Sequence, residues 1–214
     1  MTAASTGSIP TIDFKKSIGA YTARPGSFAV VTVPPLRYLM IDGHGDPNTS
    51  GAYAEAIAAI YPLAYTLKFA SKNLLGRNYV VMPLEAQWWA DDMSSFTDAR
   101  DKANWQWTLM NMVPDWLGQD DFRSAVATVA AKNSLTALHN VRLETLDEGL
   151  CVQTLHVGAF DDEAGVLSDL HTRFIPEHGL TMTGKHHEVY FSDFRRVAPA
   201  KLRTLLRQPV RSIE

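Results

Sequence analysis

Twice along the chain the same succession of hydrophobic periods recurs, and this repetition restricts the fold more than any other feature. In the first half a strand-like run ending near Ile41 leads to a helical stripe. A strand carrying Glu85 follows, and then a segment that closes at Pro114. In the second half a strand ending near Phe160 leads to a helix, a strand carrying Glu188 and a segment that closes at Pro209. The helices supply connections long enough for the strands they join to lie in one sheet. The predicted fold class is therefore α+β, a tandem strand-helix-strand-strand repeat with pseudo-two-fold symmetry and a central ligand cleft. Residues 1–25 show little periodicity and read as a loose N-terminal arm. Residues 26–211 read as a single domain made of repeats at about 26–140 and 141–211.

Local signals place the elements. Val30, Val31 and Val33 precede a break at Pro34-Pro35, after which Leu36 to Ile41 resumes the strand. Gly43-His44-Gly45 lies in a stretch rich in turn residues and is too short a glycine pattern to signal nucleotide binding. Ile57, Ile60, Tyr61, Ala64 and Leu67 fall on one face of a helix spanning about 51–72, with Pro62 predicting a kink or two helices end to end. Strands are expected at 79–89, 105–113, 150–160 and 184–193, with a short one at 141–144 before the Asp147-Glu148-Gly149 turn, and helices at 115–131 and 161–178. A short helix running into a last strand is expected over 198–210. The polar connection 91–102 is a candidate lid.

Composition removes several function classes. The chain has 214 residues, 46% hydrophobic and 20% charged, with a formal net charge of −3, so a phosphate-binding partner would need a local basic patch. Arg195-Arg196 with Lys201 and Arg203 reads as a solvated helix start instead, and no nucleic-acid partner is expected. No apolar run approaches the length of a membrane span, and the first ten residues do not resemble a signal peptide. The single cysteine, Cys151, cannot form an internal disulfide, which fits a cytoplasmic setting. His186-His187-Glu188 supplies only two groups to one face of a strand, so neither a metal nor another cofactor is expected. The oligomeric state, monomer or dimer, is left open by the sequence.

Alternate residues of a strand share a face. Glu85, Gln87 and Trp89 therefore point one way, as do His186, Glu188 and Tyr190, and Trp105 and Trp107 align on the partner strand. If the repeat makes Glu85 and Glu188 equivalent, two carboxylates meet in an aromatic-walled cleft. A carboxylate there binds a cation or carries a raised pKa suited to proton transfer. Tyr65, in the row Tyr61, Tyr65 and Phe69, has a hydroxyl that could reach the same cleft.

Four segments resemble one family. They are Pro83-Leu84-Glu85-x-x-Trp88-Trp89, Trp105-x-Trp107-Thr108-Leu109-Met110, Lys185-His186-His187-Glu188-Val189-Tyr190-x-Ser192-Asp193-x-Arg195-Arg196 and Leu206-Arg207-Gln208-Pro209-Val210. In this order they resemble the GyrI-like small-molecule-binding family, over about residues 12–211. Two departures are Asn-Met-Val at 111–113 and Phe194 where proline is usual. The resemblance implies a cleft for aromatic small molecules. Within the family it points to a stand-alone branch that hydrolyses the cyclopropane ring of DNA-alkylating compounds, a detoxifying, antibiotic-resistance activity. The implied roles are Glu188 as base or acid, Tyr65 as its hydroxyl partner and Glu85 as second carboxylate. Trp89, Trp105, Trp107 and Tyr190 would clamp the planar ligand. The alternatives are a non-catalytic protein that sequesters cationic aromatic drugs, and an inhibitory protein that contacts a larger partner.

Overall fold

The computed structural model describes residues 9–90 and 102–213. In chain order it contains β1 (Thr11–Ile12), α1 (Phe14–Ser17), β2 (Ala29–Val33), β3 (Leu36–His44), α2 (Gly51–Leu74), β4 (Asn78–Tyr79), β5 (Leu84–Trp89), β6 (Gln106–Val113) and α3 (Gln119–Ala130). The second half contributes β7 (Arg142–Leu146), β8 (Gly149–Val157), α4 (Ala164–Asp169), a π-helical turn (Leu170–Phe174), α5 (Ile175–Glu177), β9 (Leu180–Met182), β10 (His186–Tyr190) and β11 (Arg203–Ser212). The expected lid lies almost wholly outside the described residues.

The main sheet runs β2-β8-β11-β10-β5-β6-β3-β7, with β9 added beside β11. The order is symmetric about the β10–β5 seam, as a tandem repeat requires. One feature exceeds the expectation: the strands that open the two halves are exchanged. β2 pairs with β8 of the second half, whereas β7 pairs with β3 of the first.

Two tight connections fix the curvature. Pro34-Pro35 joins β2 to β3, and Asp147-Glu148 joins β7 to β8, with Gly149 at φ 59 supplying the left-handed turn residue. In each case the joined strands stand six places apart in the sheet order. In a flat sheet that is roughly 29 Å, whereas three residue steps reach about 11 Å at most. The sheet must therefore curl until its edges meet, which gives it an inner and an outer face.

The inner face is filled by Tyr38, Met40, Met110, Met112, Cys151, Val189 and Leu205, all nearly inaccessible. On the outer face α2 runs unbroken through Pro62 and covers Leu39, Ile41, Leu109 and Ala86 with Ala59, Ile60, Leu63 and Leu67. Burying each of the larger aliphatic side chains stabilises the docking by about 1.5–3 kcal/mol. The α4–α5 segment covers Val152 and Val210 with Leu170 and Ile175.

The loose N-terminal arm is corrected between Thr11 and Tyr21. β1 pairs in parallel with β4, Phe14 packs edge-on against Tyr79, and Ala20 and Tyr21 are buried with the inner-face residues. The segment docks through individual contacts, not an apolar stripe, so it carries no periodicity to read. The short helix running into a last strand expected over 198–210 is one 3-10 turn, Pro199–Lys201, followed by the long strand β11. Gly43 belongs to β3 instead of a turn. It lies opposite Trp107, whose ring fills the space a Cβ would need.

Candidate ligand cleft

The register across the seam decides which acidic residues meet. β5 and β10 are antiparallel, with Glu85 opposite Val189 and Ala86 opposite Glu188. Residues directly opposite share a face, so Glu85 lies on the face of His187 and Val189, and Glu188 on the other. A two-fold axis at this seam can equate only positions separated by an even number. The separation of Glu85 and Glu188 is odd, and the predicted meeting of the two is corrected.

Glu85 is inside the barrel, with 0% exposure. It accepts hydrogen bonds from the Tyr21 hydroxyl at 2.7 Å and from His187 Nε2 at 3.0 Å. His187 Nδ1 lies 2.9 Å from Glu148 Oε1. Because carboxylates only accept, both ring nitrogens carry protons. Burial alone would push His187 down, but the Glu148 charge and the hydrogen bonds to Glu148 and Glu85 raise its pKa to about 9. Burial would raise Glu148, but His187 and Arg207 hold it down at about 2. Arg207 donates to Glu148 Oε2 at 2.8 Å, to Gln153 Oε1 at 3.1 Å and to the Ala20 carbonyl at 2.6 Å. Two carboxylates face two cations, so the charges cancel.

Glu188 is on the outer face, between the α2 and α4 flanks, with its side chain 13% exposed. Tyr190 donates to Glu188 Oε2 at 2.6 Å, and Trp88 Nε1 donates to the Tyr190 oxygen at 3.0 Å. Tyr53 stacks on Trp88 at 6.1 Å and meets Trp107 edge-on at 5.1 Å, and Trp105 meets Trp88 edge-on at 5.7 Å. Phe160 closes on Tyr190 at 5.7 Å. His186 Nε2 approaches Glu188 Oε1 at 3.4 Å, an ion-pair distance without hydrogen-bond alignment.

A second carboxyl does approach Glu188, but it is Glu163, just before α4. It is 5% exposed, and burial followed by the Glu188 charge pushes its pKa up to about 9. Glu163 Oε1, Thr204 Oγ1, His171 Nε2 and both ring nitrogens of His186 are buried without a hydrogen-bond partner among the described residues. Burial and the neighbouring His186 lower His171 to about 4.

Of the predicted residues, the structure brings together Glu188, Tyr190, Trp105 and Trp107, the last as a buried floor. It does not bring in Glu85, Trp89 or Tyr65. Trp89 shares the face of Glu85, and its ring lies 3.1 Å from Lys185 Nζ. Tyr65 is 49% exposed and stacks on Phe69, so the hydroxyl beside Glu188 belongs to Tyr190, with Tyr53 adjacent. Tyr53 was accessible to sequence reasoning, since it extends the helical stripe of Ile57, Ile60 and Ala64. Glu163 was not, because Asp161-Asp162-Glu163 reads as acids preceding a helix. A separate groove of about 620 Å³, lined by Ser27, Phe28, Thr154, Val166, Arg173 and Phe174 among others, includes none of the predicted residues.

No group of side chains suited to a metal ion and no helix long and apolar enough to cross a membrane occurs among the described residues. The chain is similar to an uncharacterised conserved protein from Listeria innocua, with 35% identity, a TM-score of 0.85, and coverage of 94% of this chain and 100% of that one. It is also similar to a hydrolase from Listeria innocua, with 33% identity, a TM-score of 0.82 and the same coverage. The EcmrR C-terminal domain shares the fold at 14% identity and a TM-score of 0.55, covering 87% of this chain and 98% of that one. No curated protein matches. Residues 27–211 match the GyrI-like small molecule binding domain, a span that contains the whole symmetric sheet and both helical flanks of the cleft, and the chain belongs to that family.

Proposed function

We propose that this protein binds flat aromatic, toxic molecules in the cleft on the outer face of the β5–β10 seam. There it hydrolyses the cyclopropane ring of DNA-alkylating cyclopropanoid compounds, a detoxifying reaction. The observation that carries the reading is the hydrogen-bond chain from Trp88 through Tyr190 to Glu188 within aromatic walls. The likeness at 33% identity to a protein described as a hydrolase supports it. The Tyr190 hydroxyl occupies one oxygen of Glu188 and fixes its rotamer, while the other oxygen remains to take a proton from water. A base held within hydrogen-bond reach typically contributes 10²–10⁴-fold. Trp88, Trp105 and Tyr53 offer ring faces and edges to a planar ligand.

The test incubates the protein with an electrophile whose cyclopropane is conjugated to a carbonyl and follows the product heavier by one water. Glu188→Gln is expected to remove turnover while leaving tryptophan quenching by the bound ligand near its wild-type level. Parallel loss of both would mark Glu188 as structural. Binding without any hydrated product in the wild type would leave a sequestering protein.

A further inference from the structure

The cleft holds two carboxyl groups in unlike surroundings. Glu188 is fastened by Tyr190 and reaches solvent, whereas Glu163 is nearly inaccessible and leaves Oε1 without a partner among the described residues. The groups that act on Glu163 are Glu188 from β10, which disfavours its charged form, Thr204 from β11, whose hydroxyl favours it by a smaller amount, and Asp161 from its own segment, which disfavours it. Thr204 lies directly opposite Tyr190 in the sheet, which places Glu163 beside the Tyr190–Glu188 pair. None of these neighbours is an arginine or lysine that would favour the charged form. A buried carboxyl of this kind keeps its proton at neutral pH and donates a hydrogen bond.

We propose that Glu163 is the proton donor of this cleft: its carboxyl O–H bonds the carbonyl oxygen of the bound electrophile and yields its proton there as the strained ring opens. The inference rests on the hydrolytic reading for its catalytic part and on the cleft alone for its binding part. In the step, Glu188 takes one proton from water, and the water oxygen bonds the ring carbon. The ring carbon–carbon bond breaks, and its electron pair moves through the conjugated system to the carbonyl oxygen, which takes the Glu163 proton. The product has gained one water, Glu163 is a carboxylate and Glu188 a carboxylic acid. Return of one proton from Glu188 to Glu163 restores the starting state. This is the pattern of two acids held apart by their environments so that one gives and the other receives.

Two measurements test it. In the first, tryptophan quenching gives the affinities of 9-fluorenone and of fluorene, which share a planar skeleton and differ by the carbonyl. The wild type is expected to favour the ketone by about 3- to 10-fold, the worth of one hydrogen bond, and Glu163→Ala to remove that preference. No preference in the wild type, or an undiminished one in the variant, overturns the proposal. In the second, Glu163→Gln is expected to slow turnover by about 10²–10⁴-fold and to abolish an alkaline loss of rate centred near pH 9. Wild-type turnover in this variant overturns the proposal. Absence of turnover in the wild type with the ketone preference intact overturns the hydrolytic reading and supports Glu163 as donor.

Discussion

The two faces of the β5–β10 seam handle buried charge in opposite ways. On the inner face, Glu85, His187, Glu148 and Arg207 are joined by short hydrogen bonds to one another and to Tyr21, Gln153 and the Ala20 backbone. On the outer face, Glu163, His171, His186 and Thr204 leave buried polar atoms without hydrogen-bond partners among the described residues. A buried polar group without a partner costs roughly 1–3 kcal/mol. A natural fold keeps several together where a ligand or water can satisfy them, and the difference separates a scaffold from a binding surface.

The same substitution on the two faces is the strongest way to break this comparison. Glu85→Gln should lower unfolding stability by about 3–5 kcal/mol, because it leaves a buried imidazolium short of its counter-charge. Glu163→Gln should not lower it at neutral pH, since an amide resembles the protonated acid in shape and charge and has no proton to lose on unfolding. Urea unfolding of the two variants reads both, and equal losses would erase the distinction between the faces. Next in size, Gly43→Ala should cost about 1–3 kcal/mol by displacing the Trp107 ring. A changed near-ultraviolet dichroism from the tryptophans would accompany it. Tyr190→Phe removes one hydrogen bond to Glu188 and the acceptor of Trp88. About 1 kcal/mol of stability should go with it, together with a larger fall in turnover than in binding.

A pH series sharpens the comparison further. His187 is raised from 6.5 to about 9, so its contribution is complete below about pH 6.5 and is lost as pH climbs towards 9. Glu148 is lowered from 4.5 to about 2, so its contribution is complete above about 4.5 and is lost as pH falls towards 2. Glu163 is raised from 4.5 to about 9, so folding binds a proton there and stability declines as pH rises across that interval. In Glu163→Gln the decline between about 4.5 and 6.5 should flatten, and above 6.5 only the share that belongs to His187 should remain. A variant curve parallel to the wild type from 4.5 to 6.5 would contradict a protonated Glu163.

Much of the framework was legible because it depends on local periods. The shared face of His186, Glu188 and Tyr190 follows from strand alternation, and the stripe from Ile57 to Leu67 from the helical repeat. What was not legible depends on pairing. Whether Glu85 or Ala86 lies opposite Glu188 is one step of register, and nothing in either strand's composition fixes that step. The second strand of each exchanged pair was equally hidden, since Val30 to Val33 reads the same whichever neighbour it joins. Tyr65 and Tyr53 illustrate the limit on a helix. Both are tyrosines on α2, yet only the angular position of Tyr53 brings it over Trp88 and towards Glu188.

The exchange of β2 and β7 has a mechanical consequence. Each half surrenders its opening strand to the other, so neither can melt without stripping five backbone pairings from its sibling. Despite its duplicated plan, the molecule is interlocked like clasped hands. Its heat absorption on melting should form a single peak whose calorimetric and van't Hoff enthalpies agree.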